Sequence, residues 1–231
     1  MKPSFELVAS IIDKLIEDTN YGNIYDYVFG GASDISCWFY EVEDYTHFEM
    51  AHGYTKIVIG SDKLGDWVLK IPILNGERKD FCAIEAANYK AACEAGLERF
   101  FAPTFFFAEI SNIPVYIQKK VYCCDGDVSD NFYDWTARQM EESRYEYDTD
   151  DEFDDAVYEK ASNLTTQSSL RAMFEETNDL EDIDKLYCFC NKFHINDLHS
   201  GNYGFDNGRA VIIDFSGFYF LENTKEKPTL E

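Results

Sequence analysis

The chain has 231 residues and a formal net charge of −24, from 44 acidic against 20 basic residues, and 16% of its residues are aromatic. A chain of this length buries roughly 70–75% of its unfolded surface, and the aromatic content excludes a disordered protein. The charge repels phosphates, so it argues against general affinity for nucleic acid or anionic membranes and favours a basic partner or mimicry of nucleic acid. Seven cysteines without regular spacing, with no recognisable signal peptide or long apolar run, indicate a reducing cytoplasm.

Residues 1–47 are expected to form a helix followed by an aromatic extension. Apolar residues recur at steps of three and four over residues 5–17 after the start signal Pro3-Ser4, which predicts an amphipathic helix that packs on the following sheet. The run from Ile35 to Tyr40 is rich in β-forming residues and predicts a strand. Gly30-Gly31 predicts a turn.

Residues 48–73 alternate between strand and turn signals. Turns at His52-Gly53 and Leu64-Gly65 separate three predicted strands. Lys70 interrupts the otherwise apolar strand from Trp67 to Ile73, so its ammonium group needs a partner if it points inward. The sequence therefore predicts a small antiparallel sheet that carries one buried lysine.

An alanine-rich helix follows over residues 81–95. Asp80 is the expected N-cap and Gly96 the expected stop. Glu85 falls in the second turn of this helix, where it could pair with Lys70 or could simply be a solvated acid near the helix N-terminus. Glu94 is the alternative partner, at the far end of the helix.

Two further strands, residues 105–108 and 114–121, lead into a segment of helical pattern over residues 122–179. Ten of the twenty residues from Glu141 to Lys160 are acidic, with aromatic residues between them. So many acids cannot all be buried. The segment is either a solvated helix and loop or a docking surface for a basic partner.

Residues 180–217 carry the residues most suited to chemistry. A helix over 180–193, with Asn178 and Glu181 in capping-box spacing, leads to Asp197 and Asn202. A hairpin then turns at Asp206-Asn207-Gly208 and ends at Asp214. An acid to orient a hydroxyl, with an amide and a second acid to hold a metal, is what phosphoryl transfer on magnesium requires.

The stretches DLHSGN, from Asp197 to Asn202, and IIDFSG, ending at Gly217, resemble the catalytic loop and metal-binding strand of the protein kinase-like superfamily. The loop is most similar to that of aminoglycoside and choline kinases and of short kinase-like proteins from bacteriophages. Two positions depart from the pattern: Ile195-Asn196 replaces the His-Arg pair, and Ser216 replaces the glycine of DFG.

This resemblance implies an α+β, two-lobed kinase-like fold with a small antiparallel sheet lobe and a reduced helical lobe. The small lobe and hinge would span residues 48–121, with the adenine edge bound by the hinge backbone at 118–121. Residues 122–231 would form the helical lobe, with 122–179 as an insertion. Because 14 residues follow Gly217, we expect no full activation segment.

The resemblance also implies ATP and Mg²⁺ as cofactors and assigns roles to particular residues. Lys70, fixed by Glu85, would orient the phosphates, and Asp197 would accept or orient the acceptor hydroxyl. The remaining assignments are backbone cover over the phosphates at Gly53, a phosphate contact from His199, and magnesium ligation by Asn202 and Asp214.

Three functions remain open from the sequence. The first is an ATP- and Mg²⁺-dependent phosphotransferase with a protein acceptor. The second is a pseudokinase that serves as a binding module, favoured by the altered positions around Asp197 and Asp214. The third is an acidic inhibitor that covers the nucleic-acid-binding surface of a basic host protein through residues 141–160.

Overall fold

The computed structural model describes residues 1–30, 35–75, 79–123, 129–176 and 180–217. Within these ranges the helices are α1 (Phe5–Ile16), α2 (Ile35–Thr46), α3 (Phe81–Glu94), α4 (Asp130–Met140), α5 (Asp150–Ser162), α6 (Thr166–Glu176) and α7 (Ile183–Lys192). The strands are β1 (Glu49–His52), β2 (Lys56–Gly60), β3 (Trp67–Pro72), β4 (Thr104–Ile110), β5 (Ile113–Lys119), β6 (Tyr122–Cys123), β7 (Tyr203–Asp206) and β8 (Arg209–Ile212). The fold is α+β with two lobes, as predicted, and each lobe has its own sheet and its own main buried core.

The small lobe is a five-stranded antiparallel sheet in the order β1-β2-β3-β5-β4. Because side chains alternate along a strand, the sheet has two distinct faces. One face presents apolar side chains such as Ile57, Leu69 and Ile117, which share a buried core with residues of α1 and α2. The opposite face carries Lys70 and Gln118, both buried, and looks toward α3 and the second lobe.

Helix α1 confirms the prediction for residues 5–17 and packs on the sheet as expected. It begins after Ser4, whose hydroxyl accepts from the backbone N–H of Leu7 at 3.3 Å. Val8, Ile12 and Leu15 on its apolar face are fully buried in the core that the helix shares with the sheet, whereas Phe5 is exposed. Residues 1–47 supply ten of the 21 buried residues that the structure describes in this core.

The predicted strand over Ile35–Tyr40 was wrong, because these residues begin helix α2. Trp38, Phe39 and Val42 are buried on one side of this helix, at a spacing that a helix and not a strand brings to one face. Packing against α1 and the sheet thus overrides the β propensity of the aromatic residues. Gly30 ends a π-helical turn from Asp26, and Gly31 lies outside the described residues.

The predicted strands and turns of residues 48–121 are confirmed. β1, β2 and β3 form consecutive antiparallel pairs, and Asp80 caps α3 by accepting from Ala83 N–H at 2.8 Å. Gly96 follows α3 with φ of +70°, as expected of a helix stop.

The second lobe combines α4, α6 and α7 with a three-stranded sheet in the order β6-β7-β8. Its core includes Phe100, Phe174 and Leu186. The β7–β8 hairpin turns at Asn207 and Gly208, both with positive φ, which confirms the predicted turn. The helix predicted over 180–193 begins as a 3-10 turn and is α-helical from Ile183, while Asn178 lies outside the described residues.

The lobes meet closely at the hinge. A Cβ atom at Gly204 in β7 would lie 2.5 Å from Val121 Cγ2 and 2.7 Å from the Tyr122 carbonyl oxygen. Only glycine lets the hinge backbone approach the hairpin this closely. Lys119 adds an ion pair to Asp206 at 2.6 Å.

Candidate phosphotransfer site

Lys70 and Glu85 form the predicted ion pair, at 2.8 Å between Nζ and Oε2. Lys70 is 4% exposed and Glu85 is fully buried. The pair arises because β3 directs Lys70 toward α3, and the Asp80 cap sets the start of α3 so that Glu85 faces the sheet. Glu94, the alternative partner, is exposed at the end of the same helix.

A second lysine, which the sequence reasoning missed, joins this pair. Lys56 opens β2 and is 3% exposed. Its ammonium group donates to Glu85 Oε1 at 2.7 Å, to Asp214 Oδ1 at 2.8 Å and to Ser216 Oγ at 3.1 Å. The available signal was the alternation in β2, where Lys56 and Val58 take the face opposite to Ile57 and Ile59.

The chain following β8 is held against α3 and the sheet through its backbone. The Ile213 carbonyl accepts from Lys70 Nζ at 2.8 Å and from Gln118 Nε2 at 2.9 Å. Phe215 N–H donates to Glu85 Oε1 at 3.3 Å, and the Phe215 carbonyl accepts from Asn88 Nδ2 at 2.8 Å. Asp214, between these two residues, is thereby fixed beside the Lys70–Glu85 pair.

The two positions that depart from the DFG pattern have separate structural uses. Ser216 Oγ contacts Asp214 Oδ1 at 3.1 Å as well as Lys56. Gly217 has φ of +71°, and a Cβ there would lie 2.1 Å from the His194 carbonyl oxygen. The glycine therefore falls one position late because that is where the chain passes the His194 carbonyl, just before the 197–202 loop.

Asp197 and Asn202 lie in one loop that is tied to β8. Asn202 Nδ2 donates to the Asp197 carbonyl at 2.6 Å. The Asn202 carbonyl accepts from Ile213 N–H at 2.9 Å. Asn202 is 8% exposed, whereas Asp197 is half-buried. The hydrogen bond between Asn202 and Ile213 brings the loop next to Asp214.

His199 and Gly53 make local hydrogen bonds that shape the backbone around them. His199 Nδ1 accepts from Gly201 N–H at 3.1 Å, so the ring closes the short 3-10 turn that ends at Asn202. Gly53 closes the β1–β2 hairpin by donating to the Lys56 carbonyl at 3.0 Å, and no atom lies within 4 Å of a Cβ built there. Their predicted phosphate contacts stay predictions.

Burial and opposite charges pull in different directions on the ionisable groups. Burial raises the pKa of Glu85, although both lysines oppose the rise. Burial alone would raise the pKa of Asp214, but the charges of Lys56 and Lys70 outweigh it and hold that pKa below its usual range. Burial would lower the pKa of Lys56, yet Glu85 and Asp214 raise it overall. The Asp214 carboxylate therefore stays ionised at neutral pH beside the Lys56 ammonium group.

The oxygens of Asn202 and Asp214 suit magnesium, which binds through one or two protein oxygens together with substrate phosphates. The Asn202 contact to Asp197 uses Nδ2 and leaves the amide oxygen for a cation. Among the part of the chain that the structure describes, the hydrogen bonds of Asp214 to Lys56 and Ser216 both use Oδ1, which leaves Oδ2. Among the described residues no group of three His, Cys, Asp or Glu could hold a metal, so a cation here would need further ligands from nucleotide or water.

Comparisons with known proteins give little beyond this geometry. No protein-family model matches the chain, and no curated protein matches it. One solved structure with which it aligns is an aminoglycoside phosphotransferase from Alicyclobacillus acidocaldarius, at 14% sequence identity and a TM-score of 0.31, over 73% of this chain and 61% of that chain. This chain thus spans less than two thirds of that protein's length. None of the helices in the described ranges is long and apolar enough to cross a membrane.

Proposed function

We propose that this protein is a kinase-like phosphotransferase that uses ATP and Mg²⁺. The observation that carries the proposal is the convergence of β3, α3, the 197–202 loop and the chain after β8, which places Lys70, Glu85, Asn202 and Asp214 in one connected network. These segments are far apart in sequence. Their residue types are those that phosphoryl transfer uses for positioning and charge stabilisation.

Each residue has a distinct task in this proposal. Lys70, held by Glu85, donates to the phosphates. Asp197 accepts the proton of the acceptor hydroxyl as that oxygen attacks the γ-phosphorus, and the bond from this phosphorus to the β–γ bridging oxygen breaks to release ADP. Asn202 and Asp214 hold Mg²⁺, which neutralises charge on the phosphate oxygens. Burial of the lysine pair strengthens these interactions, because water does not screen them.

The test is thermal melting with and without saturating Mg-ATP, on the wild type and on Asp214→Asn. Ligand at a hundred times its dissociation constant adds about 2.7 kcal/mol, which for this chain length raises Tm by roughly 5–10 °C. The shift should disappear in Asp214→Asn. A wild type that shows no shift would refute the proposal.

Asp197→Asn serves as the matched variant for chemistry. It should keep the Mg-ATP shift and lose transfer of the labelled γ-phosphate, because Asp197 contacts the acceptor and the metal ligands are elsewhere.

The second candidate function is a pseudokinase, favoured by the Lys56 ammonium that covers Asp214 Oδ1. That candidate predicts that Asp197→Asn keeps every cellular function of the protein.

We further propose a protein acceptor and a cytoplasmic location, by analogy with the short kinase-like proteins that the 197–202 loop resembles. A basic host protein would dock on residues 141–160, whose ten acidic side chains are all exposed. Tyr145, 83% exposed, lies among them, whereas Phe153 of α5 is buried against α4. Exposed tyrosines among charges suit a protein interface.

The docking surface is tested by neutralising its exposed acids. The variant replaces six acids by the corresponding amides: Asp148, Asp150, Asp151, Glu152, Asp154 and Asp155. Partner capture should be lost while the Mg-ATP shift remains. If partner capture survives, neither docking nor an acidic inhibitor at this surface is correct.

A further inference from the structure

We propose that Lys56 is the resident cation of Asp214 and competes with a divalent metal for that carboxylate. The inference deepens the proposed function, since it concerns the same metal site, and it rests on the assignment of Asp214 as a metal ligand. Lys56 would make metal binding depend on the arrival of a polyphosphate, which can draw the ammonium group away.

The geometry of Lys56 is that of a bound cation. Its Nζ has oxygen acceptors at 2.7, 2.8 and 3.1 Å, on Glu85, Asp214 and Ser216. An ammonium group has three donors, so these contacts use its full capacity. The Ser216 hydroxyl also contacts Asp214 Oδ1. Lys56 and Ser216 therefore both lie against the same carboxylate oxygen.

The positive and negative charges of this cluster balance without a metal ion. Lys56 and Lys70 offset Glu85 and Asp214, and all four are joined through contacts of 2.7–2.8 Å. Without Lys56, one lysine would face two carboxylates and leave one negative charge at Asp214. Such an excess charge in a poorly screened site is what attracts a divalent ion.

Lys56 and Lys70 are not equivalent toward Asp214. Lys70 donates to Glu85 Oε2 and to the Ile213 carbonyl, both at 2.8 Å. Lys56 alone of these two has a hydrogen bond to the Asp214 carboxylate among the described contacts. Removing either lysine changes the total charge equally, but only removal of Lys56 frees Asp214 Oδ1 from an ammonium group, so that both carboxylate oxygens can face a metal.

Lys56 can leave this position without unfolding the sheet. Its backbone is fixed by the pairing with Pro72 and by the hydrogen bond from Gly53 N–H. A lysine side chain has a flexible four-carbon stem that allows other positions of the ammonium group, and a Cβ built at Gly53 in the neighbouring hairpin turn would meet no atom within 4 Å. Phosphate oxygens placed under this turn would offer Lys56 a new anionic partner and release Asp214 to the metal.

The experiment titrates Mn²⁺ alone against the protein and measures free Mn²⁺ by electron paramagnetic resonance at 0.15 M salt. Lys56→Met should bind one Mn²⁺ at least about tenfold more tightly than the wild type, because the half-buried Asp214 carboxylate loses its competing cation. Lys70→Met is the matched control and should change the affinity less than about threefold. Adding Asp214→Asn to Lys56→Met should abolish the gain, which separates this site from weak binding by surface acids.

Equal gains in Lys56→Met and Lys70→Met, or no gain in Lys56→Met, would overturn the inference. Circular dichroism melting establishes that each variant is folded, and Lys56→Gln replaces Lys56→Met if the latter is not. Tight Mn²⁺ binding by the wild type would also overturn it, and needs no variant. Because no nucleotide is present, a missing Mg-ATP shift refutes the proposed function while leaving this result intact.

Discussion

Glu85→Ala is the perturbation that tests the buried network most directly. Glu85 is fully buried and contacts two lysines at 2.7 and 2.8 Å. Removing one member of a buried ion pair costs about 3–5 kcal/mol, because the remaining charge is left without compensation. Lys70 would keep the Ile213 carbonyl and Lys56 would keep Asp214, so we expect the lower part of that range.

The loss is measured as the free energy of unfolding in urea, followed by circular dichroism. A loss of about 3 kcal/mol corresponds to a fall in Tm of roughly 6–12 °C for a chain of this length. The matched control is Glu94→Ala, an exposed acid at the end of the same helix, which should change stability by less than about 0.5 kcal/mol.

The variant should also weaken nucleotide binding. Phe215 N–H donates to Glu85 Oε1, so loss of this acceptor frees the backbone that positions Asp214. The Mg-ATP shift in Tm should then shrink in Glu85→Ala and persist in Glu94→Ala. Equal stability of the two variants would refute the idea that a buried network organises the site.

Three further predictions concern other parts of the structure. Burial and the hydrogen bond from Tyr116 to Asp80 raise the pKa of Tyr116. The stabilisation that the neutral phenol gives is therefore complete below the ordinary tyrosine pKa of about 10 and is lost as the pH rises above it. The free energy of unfolding in urea should fall less steeply from pH 9 to 12 in Tyr116→Phe than in the wild type. Gly217→Ala should cost at least about 1–3 kcal/mol, since φ is +71° and the new Cβ would meet the His194 carbonyl; an unchanged Tm would contradict this. Burial raises the pKa of Cys190 to about 12, so iodoacetamide at pH 8 should label the exposed Cys188 and spare Cys190, as mass spectrometry of peptides can verify.

Local signals account for the parts of the fold that the sequence predicted correctly. The helix after Asp80, the hairpin turn at Asn207-Gly208 and the start of α1 after Ser4 each depend on residues within one or two turns of chain. Capping and turn chemistry act at this range. The same applies to Glu85, whose place in α3 follows from the distance to the cap.

Segments decided by distant packing were predicted less well. Helix α2 has strand-forming aromatic residues, and only the core shared with α1 and the sheet selects the helix. Ser216 and Gly217 departed from the DFG pattern in the sequence, whereas the structure gives Ser216 a contact to Asp214 and Gly217 a close approach to the His194 carbonyl.

The sequence by itself determined the strands and the helix of residues 48–95, the loop from Asp197 to Asn202, and the places of Lys70 in β3 and Glu85 in α3, because periodicity, caps and spacing are local properties of the chain. Only the tertiary structure decided the role of Lys56, which meets Asp214 across 158 residues. A lysine at the start of a strand carries no local sign of its partner. The partner is set by which face of the sheet it occupies and by what the second lobe brings against that face.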